Sequence, residues 1–201
     1  MELELAQLPA LERYKLLIGL VIPRPIAWIS TFSENSVANC APFSFFNVIS
    51  EDPPLCIISF NWRSDGEVKH TLKNIRRTGE FVVNLADEGS ANAMHLTGTE
   101  LPEAESEFSR FGLTPAPAKR VKHPRIAEAA ASFECRLERR IRFGPQREMV
   151  VGEILLIHAR DGIIDPVTKH ISEDLYRPVG RLFANRYCTT RERFDLPRND
   201  S

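Results

Sequence analysis

Clustered metal ligands are absent from this 201-residue chain. Its four cysteines (Cys40, Cys56, Cys135, Cys188) lie far apart and form no CxxC pair, so the closely spaced ligand set of a zinc site is missing. Each sits among apolar or β-branched neighbours and reads as a small core residue; scattered free thiols fit a reducing cytoplasm. The five histidines (His70, His95, His123, His158, His170) stand singly. No GxSxG elbow, Walker loop, GxGxxG or HExxH occurs, which removes the common hydrolase, nucleotide-triphosphate, dinucleotide and metalloprotease signatures. Charge of neither sign is in excess, with 26 Lys+Arg against 27 Asp+Glu. That argues against a dedicated nucleic-acid binder and leaves room for a local basic site for a small anion. Apolar runs are short: "EILLIHA" (153–159) is among the longest and cannot cross a bilayer. "MELELAQLPALERYKLL" has no basic region followed by an apolar run, so no signal peptide is expected. The expectation is one cytoplasmic domain over residues 1–201, without membrane or nucleic-acid partners. With no visible nucleophile or metal cluster, the protein either binds something or takes its chemistry from a cofactor.

What is present is a succession of short apolar segments. Residues 3–20 predict a short helix ending at Gly19, and Pro23 and Pro25 then force an extended path. "IAWISTF" (26–32) reads as a strand followed by the turn residues "SENS". "LCIISFNW" (55–62) and "EFVVNLA" (80–86) read as strands with apolar residues on both faces. Between them, Val68, Leu72 and Ile75 mark one helical face within 63–79. A Ser64/Glu67 capping box or Thr71 would start that helix, and Gly79 would stop it. Residues 87–131 read as helices and loops, with "ESEFSRFGL" as one short helix. "SFECRLERRI" (132–141) alternates, with Phe133, Cys135 and Leu137 inward and Glu134, Arg136 and Glu138 outward. Gly144-Pro145 turns the chain into a hairpin partner at 149–159. Strands outnumber helices and lack regular helical crossovers, so the fold class is mainly β with helical insertions, an antiparallel barrel or sandwich.

Two stretches carry the chemistry. Arg63, Ser64, Lys69 and Thr71 lie where a strand passes into a helix, and a helix N-terminus with arginine and lysine beside it suits a phosphate. An ordinary solvated helix start accounts for the same charges. "NCAPFSFFNVISEDPP" (39–54) crowds Phe43, Phe45 and Phe46 around Ser44 and is broken by Pro42. A proline there implies an edge or kinked strand. Backbone groups near Ala41 and Ser44 are then free for a ligand, with the phenylalanines walling a planar ring and Asn39 and Ser44 as polar partners. A core strand with packed phenylalanines explains the composition as well.

Taken in order, these residues resemble the flavin reductase-like, FMN-binding split-barrel family that includes flavoredoxins. The matching positions are Arg24-Pro25, Ser30-Thr31, Asn39 through Phe46, Asp52-Pro53-Pro54, Lys69-His70-Thr71, Asn74-Ile75 and Thr78 to Asn84. "LTG" (96–98), "GLTP" (112–115) and "GRLFANRY" (180–187) fall where the family has similar segments, so the likeness runs from about residue 22 to 196. The resemblance implies a six-stranded FMN-binding split β-barrel, a homodimer, and FMN near the subunit interface. It implies phosphate contacts from Arg63, Lys69 and Thr71 with Ser59 or Ser64 helping, and a ring lying against Asn39, Ala41, Pro42, Phe43 and Ser44. No side chain is thereby assigned as catalytic. Three positions depart from the family pattern: His70 replaces an aspartate, Cys40 an aliphatic residue, and Phe183-Ala184 a glycine pair.

The reaction this resemblance implies is flavin reduction by NAD(P)H, with electrons passed on to an acceptor or to free flavin. The competing expectations are an FMN electron carrier or oxygenase partner that does not react with NAD(P)H, and a split-barrel dimer that has lost FMN.

Overall fold

The computed structural model describes residues 1–197. Helix α1 (Ala10–Leu20) leads into four strands: β1 (Ala27–Phe32), β2 (Ala38–Phe43), β3 (Phe46–Glu51) and β4 (Pro54–Asn61). Helix α2 (His70–Thr78) and strand β5 (Glu80–Leu85) follow, then the short helices α3 (Ala91–Leu96) and α4 (Glu107–Phe111). Strands β6 (Pro115–Ala116) and β7 (Arg125–Ile126) pair with each other. The long hairpin β8 (Ala131–Arg142) and β9 (Arg147–Ala159) follows, and β10 (Gly180–Arg181) pairs with β11 (Tyr187–Cys188).

The main sheet has seven strands in the order β2-β1-β5-β8-β9-β4-β3, one more than the six implied by resemblance. Every pairing in it is antiparallel. Its two edge strands, β2 and β3, are consecutive in the chain and separated only by Ser44 and Phe45. So short a link requires the edges to lie side by side, which rolls the sheet into a barrel. The closure is visible where β2 approaches β4 and the Phe43 and Phe60 rings meet at 4.6 Å.

Alternation along the strands divides the apolar residues between two cores. Ala27 and Ile29 of β1 point into the barrel with Ile58, Phe60, Phe81 and Val83, and α2 adds Leu72 and Ile75. Ile26 and Trp28 face outward and are covered by Met94 of α3 and Phe108 of α4. Strand β5 is buried on both faces, as its apolar run predicts. Strand β4 is not: Cys56, Ile58 and Phe60 are buried while Leu55, Ile57 and Ser59 stay half-buried. Cys40, Cys56 and Cys135 are buried free thiols; Cys188 is half-buried.

Two local expectations are corrected. Helix α2 starts at His70 instead of near Ser64, with Lys69 at its N-cap and no side-chain cap. Ser64 hydrogen-bonds Glu100 instead; Gly79 does end the helix, at φ 69°. In β8 the predicted outward Glu134 is fully buried. The loop ahead of the hairpin folds over it and supplies N–H donors from Lys119, Arg120 and Val121, together with His158. Burial works against ionisation there, but these bonds hold the Glu134 carboxyl below its ordinary range.

Candidate functional site

A cavity of about 670 Å³ opens at the end of the barrel. Asn39, Ala41, Pro42, Phe43, Ser44, Ser59, Arg63, Lys69 and Thr71 all line it. Of the sequence-predicted residues only Ser64 stays outside, exposed and hydrogen-bonded to Glu100. Two chain segments read separately in the sequence therefore converge, because β2 is packed against α2.

The proline in β2 sets which backbone groups face the cavity. Pro42 pairs with Trp28 and has no N–H, so that pair is of the non-hydrogen-bonded type. Ala41 and Phe43 consequently direct their backbone groups to β1, and Cys40 and Pro42 direct theirs outward. The Cys40 N–H confirms the phase by donating to Glu107 Oε2 at 3.1 Å. The outward backbone group near Ala41 is thus the Pro42 carbonyl; Ala41 itself lines the cavity and packs against the barrel core. The three phenylalanines also divide. Phe43 and Phe46 belong to the barrel core, and Phe45 alone remains at the rim, half-buried, its ring 6.5 Å from Tyr14.

The cationic side of the cavity is already populated by carboxylates. Arg63 pairs with Asp65 at 3.2 Å, and Lys69 with Glu100 at 3.5 Å. His70 Nε2 lies 3.3 Å from Arg63 Nη1. Burial and the neighbouring Arg63 charge lower the His70 pKa, which disfavours its charged form. The uncapped first turn of α2 adds N–H groups and the positive end of the helix dipole.

Beneath these groups lies a buried polar network that the sequence did not reveal. Glu107, 4 % exposed, accepts both Asn39 Nδ2 contacts at 3.0 Å. An ionised carboxylate only accepts, so it fixes the Asn39 amide with Oδ1 turned away. That oxygen accepts from Thr71 Oγ1 at 2.9 Å and, more weakly, from Thr31 Oγ1 at 3.4 Å; Asn74 donates to Thr31 at 3.0 Å. The Thr71 hydroxyl therefore donates inward, and what Thr71 presents to an anion is its backbone N–H. Burial pushes the Glu107 pKa up, and the Cys40 and Asn39 donors draw it back. The signal in the sequence was Glu107 inside "ESEFSRFGL", but nothing local placed it 68 residues back against Asn39.

The remaining wall is supplied by α3 and the C-terminal segment. His95 and Tyr187 line the cavity with Arg181, Phe183 and Ala184. Ala184 has φ 51°, a left-handed conformation that glycine adopts at less cost than alanine. Arg24 is nearly buried and ties this wall to β2, donating to the carbonyls of Ile18, Val21 and Leu182 and to Ser44 Oγ.

Comparisons with known proteins agree with this architecture. An uncharacterised protein of Aquifex aeolicus is 46% identical over 176 residues, covering 87% of this chain and 88% of its own. One of Bacillus subtilis is 41% identical over 197 residues, covering 96% of each. Among solved structures, the 2-nitrobenzoate 2-nitroreductase of Pseudomonas fluorescens superposes with a TM-score of 0.92 at 36% identity, over 100% of this chain and 97% of that one. Nitrilotriacetate monooxygenase component B of Bacillus cereus gives 0.92 at 32% identity, over 98% of each. A putative flavin reductase with a split barrel domain from Shewanella frigidimarina gives 0.82 at 22% identity, over 96% and 95%, a likeness of fold. The rolled sheet is accordingly a split barrel. Residues 19–176 match the model of the flavin reductase like domain, and the chain belongs to that family.

Proposed function

We propose that this protein is an FMN-dependent oxidoreductase that takes reducing equivalents from NAD(P)H and passes them to an acceptor or to free flavin. The observation that carries the reading is the composition of one cavity. Arg63, Lys69 and the uncapped N-terminus of α2 meet there with the outward edge of β2 and the Asn39–Ser44 wall. The cations and first-turn N–H groups suit a phosphate; the Pro42 carbonyl and the half-buried Ala41, Pro42 and Ser44 suit the edge and face of a flat ring. Bound FMN would supply hydride chemistry, and the chain would supply position, electrostatics and exclusion of water. No helix among the described residues is long and apolar enough to cross a membrane, and the free thiols fit a cytoplasmic location. The proposal includes a homodimer, for which α1 offers exposed Leu11, Tyr14, Leu17 and Leu20, an apolar surface of the kind that marks association. It also treats residues 1–201 as one domain.

The test is a flavin titration followed by anaerobic addition of NADH or NADPH. Near-stoichiometric FMN binding and bleaching of the flavin band by one nicotinamide support the proposal. The absence of a dinucleotide fingerprint favours a second reading, an FMN carrier or oxygenase partner, and the same experiment identifies it: FMN binds, but only a separate reductase bleaches it. Failure to bind FMN overturns both.

A further inference from the structure

The cavity wall contains a polar cluster with no part in holding a phosphate. Tyr187 Oη accepts a hydrogen bond from Arg181 Nη1 and lies 2.9 Å from His95 Nδ1. The Arg181 guanidinium sits over the phenol ring at 4.6 Å from its centroid, and the imidazole meets the ring edge-on. All three side chains line the cavity. They lie on the side of it formed by Pro42 and Ser44. Arg24 bonds both Ser44 Oγ and the backbone beside Arg181, and Gly98, three residues after His95, lies beside Pro42, where an added Cβ would be 3.6 Å from its ring. Arg63 and Lys69, by contrast, hydrogen-bond to Asp65, His70, Leu101 and Glu100.

A phenol oxygen has two lone pairs and one proton. With His95 protonated on Nδ1, that oxygen accepts one N–H from Arg181 and one from His95. Its own O–H is then left for the cavity. Two donors on the oxygen stabilise the phenolate that proton transfer would leave, and His95 stands in line to return the proton.

We propose that Tyr187 is a catalytic proton donor, replenished through His95 with Arg181 holding the charge. The acceptor is then a small molecule whose reduction requires a proton on a heavy atom, such as a nitroarene or an enone. The inference deepens the flavin reading and rests on it. For an enone, a hydride equivalent from the reduced cofactor forms the C–H bond at the β carbon. The C=C pair shifts to the α carbon and takes the Tyr187 proton there. For a nitro group, hydride plus this proton and loss of water give the nitroso compound. In both cases two electrons leave the cofactor, and the phenolate regains its proton from His95 and then solvent.

Tyr187→Phe keeps the ring and its stacking on Arg181 while deleting the hydroxyl. The experiment compares the FMN-loaded native chain and this variant, reduced anaerobically, with three oxidants: 2-cyclohexenone, nitrobenzene and ferricyanide, which accepts electrons without a proton. A second readout, independent of turnover, is binding of 4-nitrophenolate to the oxidised protein, followed through its own absorption band. The expected result is a loss of about a hundredfold or more for cyclohexenone or nitrobenzene, the usual contribution of a general acid, with ferricyanide reduction unchanged. The variant should also bind 4-nitrophenolate about tenfold less tightly, one charge-assisted hydrogen bond fewer. His95→Gln should reduce the same rates and flatten their pH profile. Equal rates for all three oxidants in native chain and variant overturn the proposal. So does a parallel fall for all three with weakened FMN binding, which would make Tyr187 a structural residue. If the native chain binds no FMN, the flavin reading itself falls first, so the two failures are distinguishable.

Discussion

Replacing Thr71 by valine separates the two roles a hydroxyl at the start of α2 can have. In the structure that hydroxyl donates to Asn39 Oδ1 at 2.9 Å, and Thr71 is 1 % exposed. Valine has the same shape without the donor. The Asn39 amide is unable to rotate in compensation, because Glu107 holds its Nδ2 with both carboxylate oxygens. Asn39 Oδ1 is left with the long 3.4 Å contact from Thr31. A buried acceptor deprived of its good partner costs about 1–3 kcal/mol. For a chain of this size each kcal/mol moves Tm by about 2–4 °C, so the variant should melt roughly 2–12 °C lower. FMN affinity should change less than threefold, since under the proposed function the phosphate would meet the backbone N–H of this residue, which valine retains. Thermal melting of the FMN-free protein and a fluorescence titration with FMN measure the two quantities. An unchanged Tm with FMN binding weakened tenfold or more would refute the reasoning and turn the hydroxyl outward to the phosphate.

Arg63→Ala removes one charge-assisted phosphate donor and should weaken FMN binding about ten- to a hundredfold while leaving riboflavin binding unchanged; an unaltered FMN dissociation constant removes Arg63 from the site. Glu100→Gln acts in the opposite direction: its carboxylate lies 3.5 Å from Lys69 and 4.0 Å from Arg63, so its loss should tighten FMN severalfold, more at low salt, and weaker binding would refute this. Stability should fall in acid through His123, which is 2 % exposed and whose pKa burial pushes down to about 4. The unfolded chain takes up the proton near pH 6.5 and the folded one resists, because Nδ1 already accepts the Phe32 N–H. Up to about 3 kcal/mol is therefore lost progressively between pH 6.5 and 4. Urea unfolding at pH 7.5 and 5 should show that slope reduced in His123→Asn, and an identical slope would refute the assignment.

Local patterning determined the mainly β character, the hairpin around Gly144, the stop of α2 at Gly79 and the edge position of the proline-broken strand. Each follows from properties of a few consecutive residues: β-branched runs, a glycine free to adopt positive φ, a proline without an N–H. The ordered motifs from Arg24 to Asn84 also carried the family resemblance. Tertiary structure decided what those residues do. The inward Thr71 hydroxyl, the non-hydrogen-bonded phase of Pro42 and the core positions of Phe43 and Phe46 depend on which strand lies alongside. Glu107 reaches Asn39 across 68 residues, and Tyr187 reaches His95 across 92. No local pattern encodes such meetings; they arise when the sheet rolls until its two edges meet and the later helices close over the outside of β1 and β2. Glu134 shows the same limit, since alternation put it outward and only the covering loop, with its three N–H donors, made its burial tolerable.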